Sequence, residues 1–379
     1  MSRKILSVVA IILIAGISGI TANRYLFPRL ATTKFFSKYE LLRKSAENVT
    51  VINKTEQIYI KEESSIDEIV DQTASAIVNI ISYSANGTNF RNGTGEIVTS
   101  DGIIMTFAEA IIVPDALKKQ ASVEKYKVMT ADGNVYDGEL LGIDSWSNLA
   151  FIKIHTSNLP VISFGNSEDY HPGEKIIAIG NDMTEYQNRF ILGVLSGFNP
   201  SYNISGQALS ISEKLEGVYL TDFNAERLSV GGPIVDYSGQ VIGIIGSTKR
   251  NNKTEYFEIP SDKVRKVLEK VINKNLDNSA ILGVYYVSLN KSYALAHDIS
   301  ADKGAMIFSP SGQNGLAILS GSPAAHSGLK INDIITQVDG EEITLENSLS
   351  TILYKFKKGD TAEFTILRGE KEIKLSVQF

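Results

Sequence analysis

Between residues 66 and 260 the chain is a long succession of short apolar runs broken by turn residues, and this feature constrains its fold most. GEIVTSDGIIMT (95–106), YKVMTADGNVYDGELLGID (126–144), LAFIKI (149–154), KIIAIG (175–180) and QVIGIIG (240–246) are examples, and Asp-Gly, Gly-Asn and Ser-Gly pairs punctuate the stretch. A pleated strand needs only a few such residues, and these pairs reverse the backbone at little steric cost. Strands of this length at this spacing predict a mainly β architecture, a barrel or a sandwich. Residues 66–80 (IDEIVDQTASAIVNI) begin with helical spacing and end as a strand. Residues 261–274 (SDKVRKVLEKVINK) open on a capping residue and predict a helix that closes the β region.

The last hundred residues read as a second unit. ILGVYYVSL (281–289) predicts a loop and strand, and GSPAAHSGLKINDIITQVDGEEI (321–343) a short helix, a turn, a strand and a hairpin. LENSLSTILYKF (345–356) puts Leu345, Leu349, Ile352, Leu353 and Phe356 on one helical face, and residues 362–377 predict a hairpin turning at Arg368-Gly369-Glu370. Residues 309–315 read as an inserted loop.

At the other end, residues 5–22 (ILSVVAIILIAGISGITA) carry no charge and follow Arg3 and Lys4. About 20 apolar residues span a bilayer. Ala22 follows Thr21 and Ile20, a poor cleavage site, so residues 1–22 predict an uncleaved signal anchor. The basic flank holds the N-terminus inside. Residues 23–65 then form a juxtamembrane stalk, and the domains lie on the extracytoplasmic side of the cytoplasmic membrane.

Composition narrows the chemistry. The 379 residues are 43% apolar, enough for two or three domains. The formal net charge of −6 argues against a nucleic-acid partner. There is no cysteine, which removes disulfides, thiolate catalysis and zinc–thiolate sites. The four histidines (His155, His171, His297 and His326) have no ligand spacing, so no metal and no cofactor is expected.

Three landmarks in residues 66–275 carry a resemblance to the trypsin-type domain of the HtrA proteases. Gly93-Thr94-Gly95-Glu96-Ile97 precedes Thr106-Phe107-Ala108-Glu109-Ala110, where the family has G-S-G-x-I and then T-N-x-H-V. Asp144-Ser145-Trp146-Ser147-Asn148-Leu149-Ala150 resembles D-x-x-x-D-L-A, and Thr221-Asp222 followed by Val230-Gly231-Gly232-Pro233 resembles the nucleophile loop. Gly193-Val194-Leu195-Ser196 and Phe257-Glu258-Ile259-Pro260 match strands around it. The resemblance implies a two-barrel chymotrypsin-like fold with triad positions at Glu109, Asn148 and Val230, so the His, Asp and Ser of the family are all replaced. It also puts Leu228 at the glycine position of the oxyanion hole. Valine has no nucleophilic atom, a carboxylate is not an imidazole, and an amide cannot stabilise a cation.

Residues 280–379 resemble the PDZ domain that follows the protease in this family. Ile281-Leu282-Gly283-Val284 resembles its carboxylate-binding loop, and Ser322-Pro323-Ala324-Ala325-His326-Ser327-Gly328-Leu329 and Val338-Asp339-Gly340 match further segments. The resemblance implies a groove for polypeptide C-termini or unfolded chains, entered by strand addition, and a homotrimer or association with an active relative. The reading is a membrane-anchored pseudoprotease. The alternative is a serine endopeptidase with a non-standard arrangement built on Ser229 and Glu109, and a third class is a purely structural envelope protein.

Overall fold

The computed structural model describes residues 66–84, 90–112, 123–182, 187–223, 229–276, 278–311 and 316–379, with a few positions between 14 and 22. Apart from those positions, the expected anchor and stalk lie outside the described residues. No helix among the described residues is long and apolar enough to cross a membrane.

Helix α1 (Ile66–Ala74) leads into β1 (Ile77–Ser84), followed by β2 (Phe90–Ile97) and β3 (Ile103–Phe107). A one-turn helix, α2 (Ala108–Ile111), ends β3, and β4 (Val123–Met129), β5 (Val135–Ile143) and β6 (Leu149–Ile154) complete a closed barrel in the order β1-β2-β3-β6-β5-β4. Closure leaves no strand edge unpaired.

The second barrel uses β8 (Lys175–Asp182), β9 (Gln187–Asn203), β11 (Glu216–Thr221), β12 (Pro233–Val235), β13 (Gln240–Arg250) and β14 (Lys253–Pro260). Their order is β12-β8-β9-β11-β14-β13, and pairing of β12 with β13 closes the ring; β7 (Ser163–Phe164) adds parallel to β13. One apolar cluster runs through both barrels and includes Ile80, Phe107, Phe151, Ile179, Val230 and Phe257. Burying each such side chain contributes about 1.5–3 kcal/mol.

Helix α3 (Ser261–Ile272) closes the region as expected, with Val264, Val267 and Val271 buried. Its start corrects the sequence reading. Ser261 is the first helical residue and its hydroxyl donates to Gly165 O (2.7 Å) instead of capping. Ser167 Oγ does that work from another segment, accepting from Asp262 N at 3.1 Å.

The C-terminal sheet contains β15 (Tyr285–Ser288), β16 (Ala305–Ile307), β17 (Ile334–Val338), β18 (Glu341–Glu342), β19 (Thr361–Arg368) and β20 (Lys371–Gln378). Helices α5 (Pro323–Ser327) and α6 (Leu349–Leu353) pack with it around Tyr286, Ile335, Ile352 and Phe364, while α4 (Lys291–His297) sets Tyr293 against a smaller cluster of Leu289, Met306 and Ile334. Helix α6 is shorter than its periodicity predicts. Ser348 accepts from Thr351 N and starts the helix there, after a turn in which Asn347 N donates to Thr344 Oγ1 at 3.1 Å. The sheet also has a member the sequence reading placed elsewhere. Its first strand is β10 (Ser210–Ile211), which comes from the connection between β9 and β11 of the second barrel and pairs antiparallel with β15.

Candidate functional site: a cleft and a groove

The cleft is built on two turns. Asp144 organises the first: its Oδ2 accepts from Ser147 N (2.8 Å) and Ser147 Oγ (2.7 Å), and its Oδ1 accepts from Tyr354 OH (2.9 Å). The turn ends at Asn148, whose φ of 60° is left-handed, a conformation asparagine tolerates better than most residues. Ala108 N donates to Asn148 O (2.9 Å), which sets α2 beside the turn. Glu109, in the first turn of α2, thereby lies next to Asn148, with Nδ2 and Oε1 3.5 Å apart at the outer limit of a hydrogen bond.

The second turn carries Val230. Gly232 N donates to Ser229 O (2.9 Å) and Gly231 N to Ile245 O (2.8 Å). Gly231 has a φ of 87° and sits so close to Thr106 Oγ1 and Phe107 N that a side chain would collide with them. That approach brings the turn to the end of β3, just before Glu109. Val230 is 3% exposed and belongs to the barrel core. Ser229, on which the alternative serine arrangement would be built, is buried as well. Leu228 lies outside the described residues.

Sequence reasoning missed the residue that holds the cleft together. Lys214, from the connection between β10 and β11, donates Nζ to Asn148 Oδ1 (2.7 Å) and Ser145 O (2.7 Å). Burial lowers the Lys214 pKa, while the Glu109, Asp144 and Glu213 carboxylates pull it back up. Burial raises the Glu109 pKa, and a backbone N–H, Lys214 and Arg91 oppose that shift. Lys214 belongs to no motif, and 66 residues separate it from Asn148, so no local pattern signals the contact. Lys214 is thus held by two neutral oxygens in the field of the nearby carboxylates. Glu109 can accept a proton, but nothing at position 230 can attack a carbonyl.

The groove is described by the predicted carboxylate loop. Leu282 and Val284 are buried, Ile281 is 57% exposed, and Gly283 has a φ of 81° with its Cα packed against Ser322. Leu282 N and Gly283 N both donate to one oxygen, Glu213 Oε1, at 2.9 and 2.8 Å. Helix α6 brings Ser350 and Leu353 to one wall of an adjoining cavity of about 380 Å³, which Ile281 also lines. The histidines take no part, and no metal-binding group occurs among the described residues.

Comparison with known proteins fits this geometry. Residues 93–244 match the trypsin-like peptidase domain family, and residues 281–379 match the PDZ domain family. Serine protease HTRA1 of Xenopus tropicalis is 29% identical over 323 residues, which cover 82% of this chain and 66% of that protein. Serine protease Do-like HtrA of Bacillus subtilis is 29% identical, with 83% and 72% covered. The putative serine protease HhoB of Synechocystis is 27% identical, with 76% and 65% covered. The chain thus spans about two-thirds of the length of several relatives it matches. Among solved structures, the HtrA-type protease AlgW with tripeptide superposes with a TM-score of 0.63 at 22% identity, covering 82% of this chain and 95% of that one. The serine endoprotease from Yersinia pestis does so at 0.55 and 22%, with 83% and 97% covered. The chain thus carries a trypsin-like peptidase domain followed by a PDZ domain and is similar to HtrA-type proteases over most of its length.

Proposed function

We propose that this chain is an HtrA-type pseudoprotease: it binds unfolded chains or protein C-termini through its PDZ groove and does not cleave them. The carrying observation is Val230, an apolar core residue immediately before Gly231, Gly232 and Pro233. Loss of the nucleophile alone lowers turnover in a serine protease by on the order of 10⁶. The Lys214 bond to Asn148 supports the same reading, since it engages the amide oxygen at the position where the family's aspartate orients the base. The apolar run at 5–22 supports an anchor in the cytoplasmic membrane with the folded domains outside. There the protein would serve as a chaperone, scaffold or regulator in envelope protein quality control, alone as a homotrimer or beside an active relative.

The test is cleavage of an unfolded model protein by the full-length chain, beside a Ser229→Ala, Glu109→Ala double variant, with labelling by a serine-reactive phosphonate in parallel. The expected result is no cleavage and no label for either. Cleavage that the double variant abolishes would overturn the reading and establish a rebuilt serine mechanism.

A further inference from the structure

We infer that the PDZ groove is occupied by an internal ligand, the chain's own residues 210–213, and that an incoming C-terminal peptide must displace this segment to bind. The inference rests on the peptide-binding reading of the groove.

The segment makes every type of contact a peptide would make there. Its backbone adds a strand to the sheet, with Ser210 opposite Tyr286 and Ile211 opposite Tyr285. The other edge of β15 is taken by β16, so no second strand can join while β10 is in place. Ser212 N donates to Val284 O at 3.1 Å, continuing the ladder to the loop. The Glu213 side chain then supplies what a chain terminus would supply, a carboxylate. Its Oε1 accepts from Leu282 N, Gly283 N and Ser212 Oγ (2.6 Å). Ser212 Oγ in turn accepts from Val284 N at 3.1 Å. One carboxylate and one relaying hydroxyl therefore satisfy three successive loop amides.

The segment is also pinned just beyond the groove. Glu216 is buried, and its carboxylate accepts from Ser210 Oγ (2.9 Å), Ser288 Oγ (2.7 Å) and Tyr286 OH (2.5 Å). Lys263 Nζ donates to the Glu216 and Gly217 carbonyls. These bonds hold the strand in register between two domains, and a covalently tethered ligand competes at a high effective concentration.

The ligand that would replace it is a peptide with a free terminal carboxylate. The cavity of about 380 Å³ lined by Ile281, Leu353, Trp146 and Lys214 offers room for its last side chain. Apparent affinity falls by the fraction of molecules whose groove is vacated.

The experiment measures fluorescence-polarisation binding of a short labelled peptide ending in Val, with a free carboxylate or as the amide, to the full-length protein and to Glu213→Ala. Hydrogen exchange at the Leu282 and Gly283 amides is followed in the same samples. The expected result is at least about tenfold tighter binding of the carboxylate peptide to the variant, no gain for the amide, and faster exchange at both amides. Equal, tight binding to both proteins would overturn the internal ligand while leaving the peptide reading intact. Faster exchange in the variant with no binding to either would uphold the internal ligand and overturn the peptide reading. Unchanged exchange and unchanged binding would overturn the inference outright.

Discussion

The cleft around Glu109, Asn148 and Val230 and the groove around Leu282 and Gly283 are occupied in different ways. The cleft brings Glu109, Asn148 and Val230 together on hydrogen-bonded turns, with no hydroxyl at position 230. In the groove, the amides of Leu282 and Gly283 donate to the Glu213 carboxylate and that of Val284 to the Ser212 hydroxyl. The same short stretch serves both: Ser210 to Glu213 lie in the groove, Lys214 reaches the cleft, and Leu215 N donates to Trp146 O at 2.9 Å. Catalysis is the more fragile property, because it needs particular atoms at particular points, whereas a backbone nest needs only a glycine and a chain path. An apolar side chain on a tight turn can pack into the core, whereas a loop whose amides converge must find acceptors for them.

Substitutions can break this comparison, the seam first. Tyr354→Ala removes the bond to Asp144, the stack on Trp146 (centroids 4.2 Å apart) and the ring beneath Lys270 Nζ. The expected cost is about 3–5 kcal/mol in chemical denaturation, enough to loosen cleft and groove together. A cost confined to one of them would show that they are independent.

Next is Glu258, buried in the second barrel, with Oε1 accepting from Thr221 Oγ1 (3.0 Å) and Oε2 without a partner among the described residues. Burial pushes its pKa up from the ordinary 4.5 to about 8, against the pull of Thr221. The folded state thus holds a proton that the unfolded state releases, so stability falls as pH rises from about 4.5 to about 8. Glu258→Gln should raise stability at pH 7 by on the order of 3 kcal/mol and flatten that part of the profile, read from melting curves of both proteins across the window.

The cleft can be probed at the nucleophile position. Val230→Ser should restore no cleavage and cost about 2 kcal/mol, because it buries a hydroxyl where an apolar side chain packed. A gain of activity would mean that the cleft had kept more of its chemistry than its residues imply. The smallest effect belongs to Lys214→Met, which leaves Asn148 Oδ1 and Ser145 O without their donor. About 1 kcal/mol is expected in equilibrium unfolding, with peptide affinity unchanged if groove and cleft are separable.

Much of the fold was legible because it is local. Asp-Gly turns, the apolar β6 run and the Arg368–Lys371 hairpin follow from side-chain period and turn chemistry. The cleft positions were legible too, through spaced motifs, although Val230 as a core residue and Ser229 as a buried one emerged only from packing. Long-range partners were not legible. Glu213 meets Gly283 across 70 residues, and Ser167, not Ser261, caps α3 across 95. β10 is two residues long, too short to carry any alternation, and its role depends on a register set by Glu216 and Tyr286.

The position of Trp146 has a practical consequence. It is the single tryptophan of the chain, 2% exposed, stacked on Tyr354 between the loop that ends at Asn148 and the helix that walls the groove. The protein therefore carries its own optical gauge at the seam. Emission excited at the tryptophan edge reports from one place only, so a shift to longer wavelength or access to a soluble quencher would register the seam parting before the barrels unfold. No dye and no engineered label is needed to follow that motion in real time.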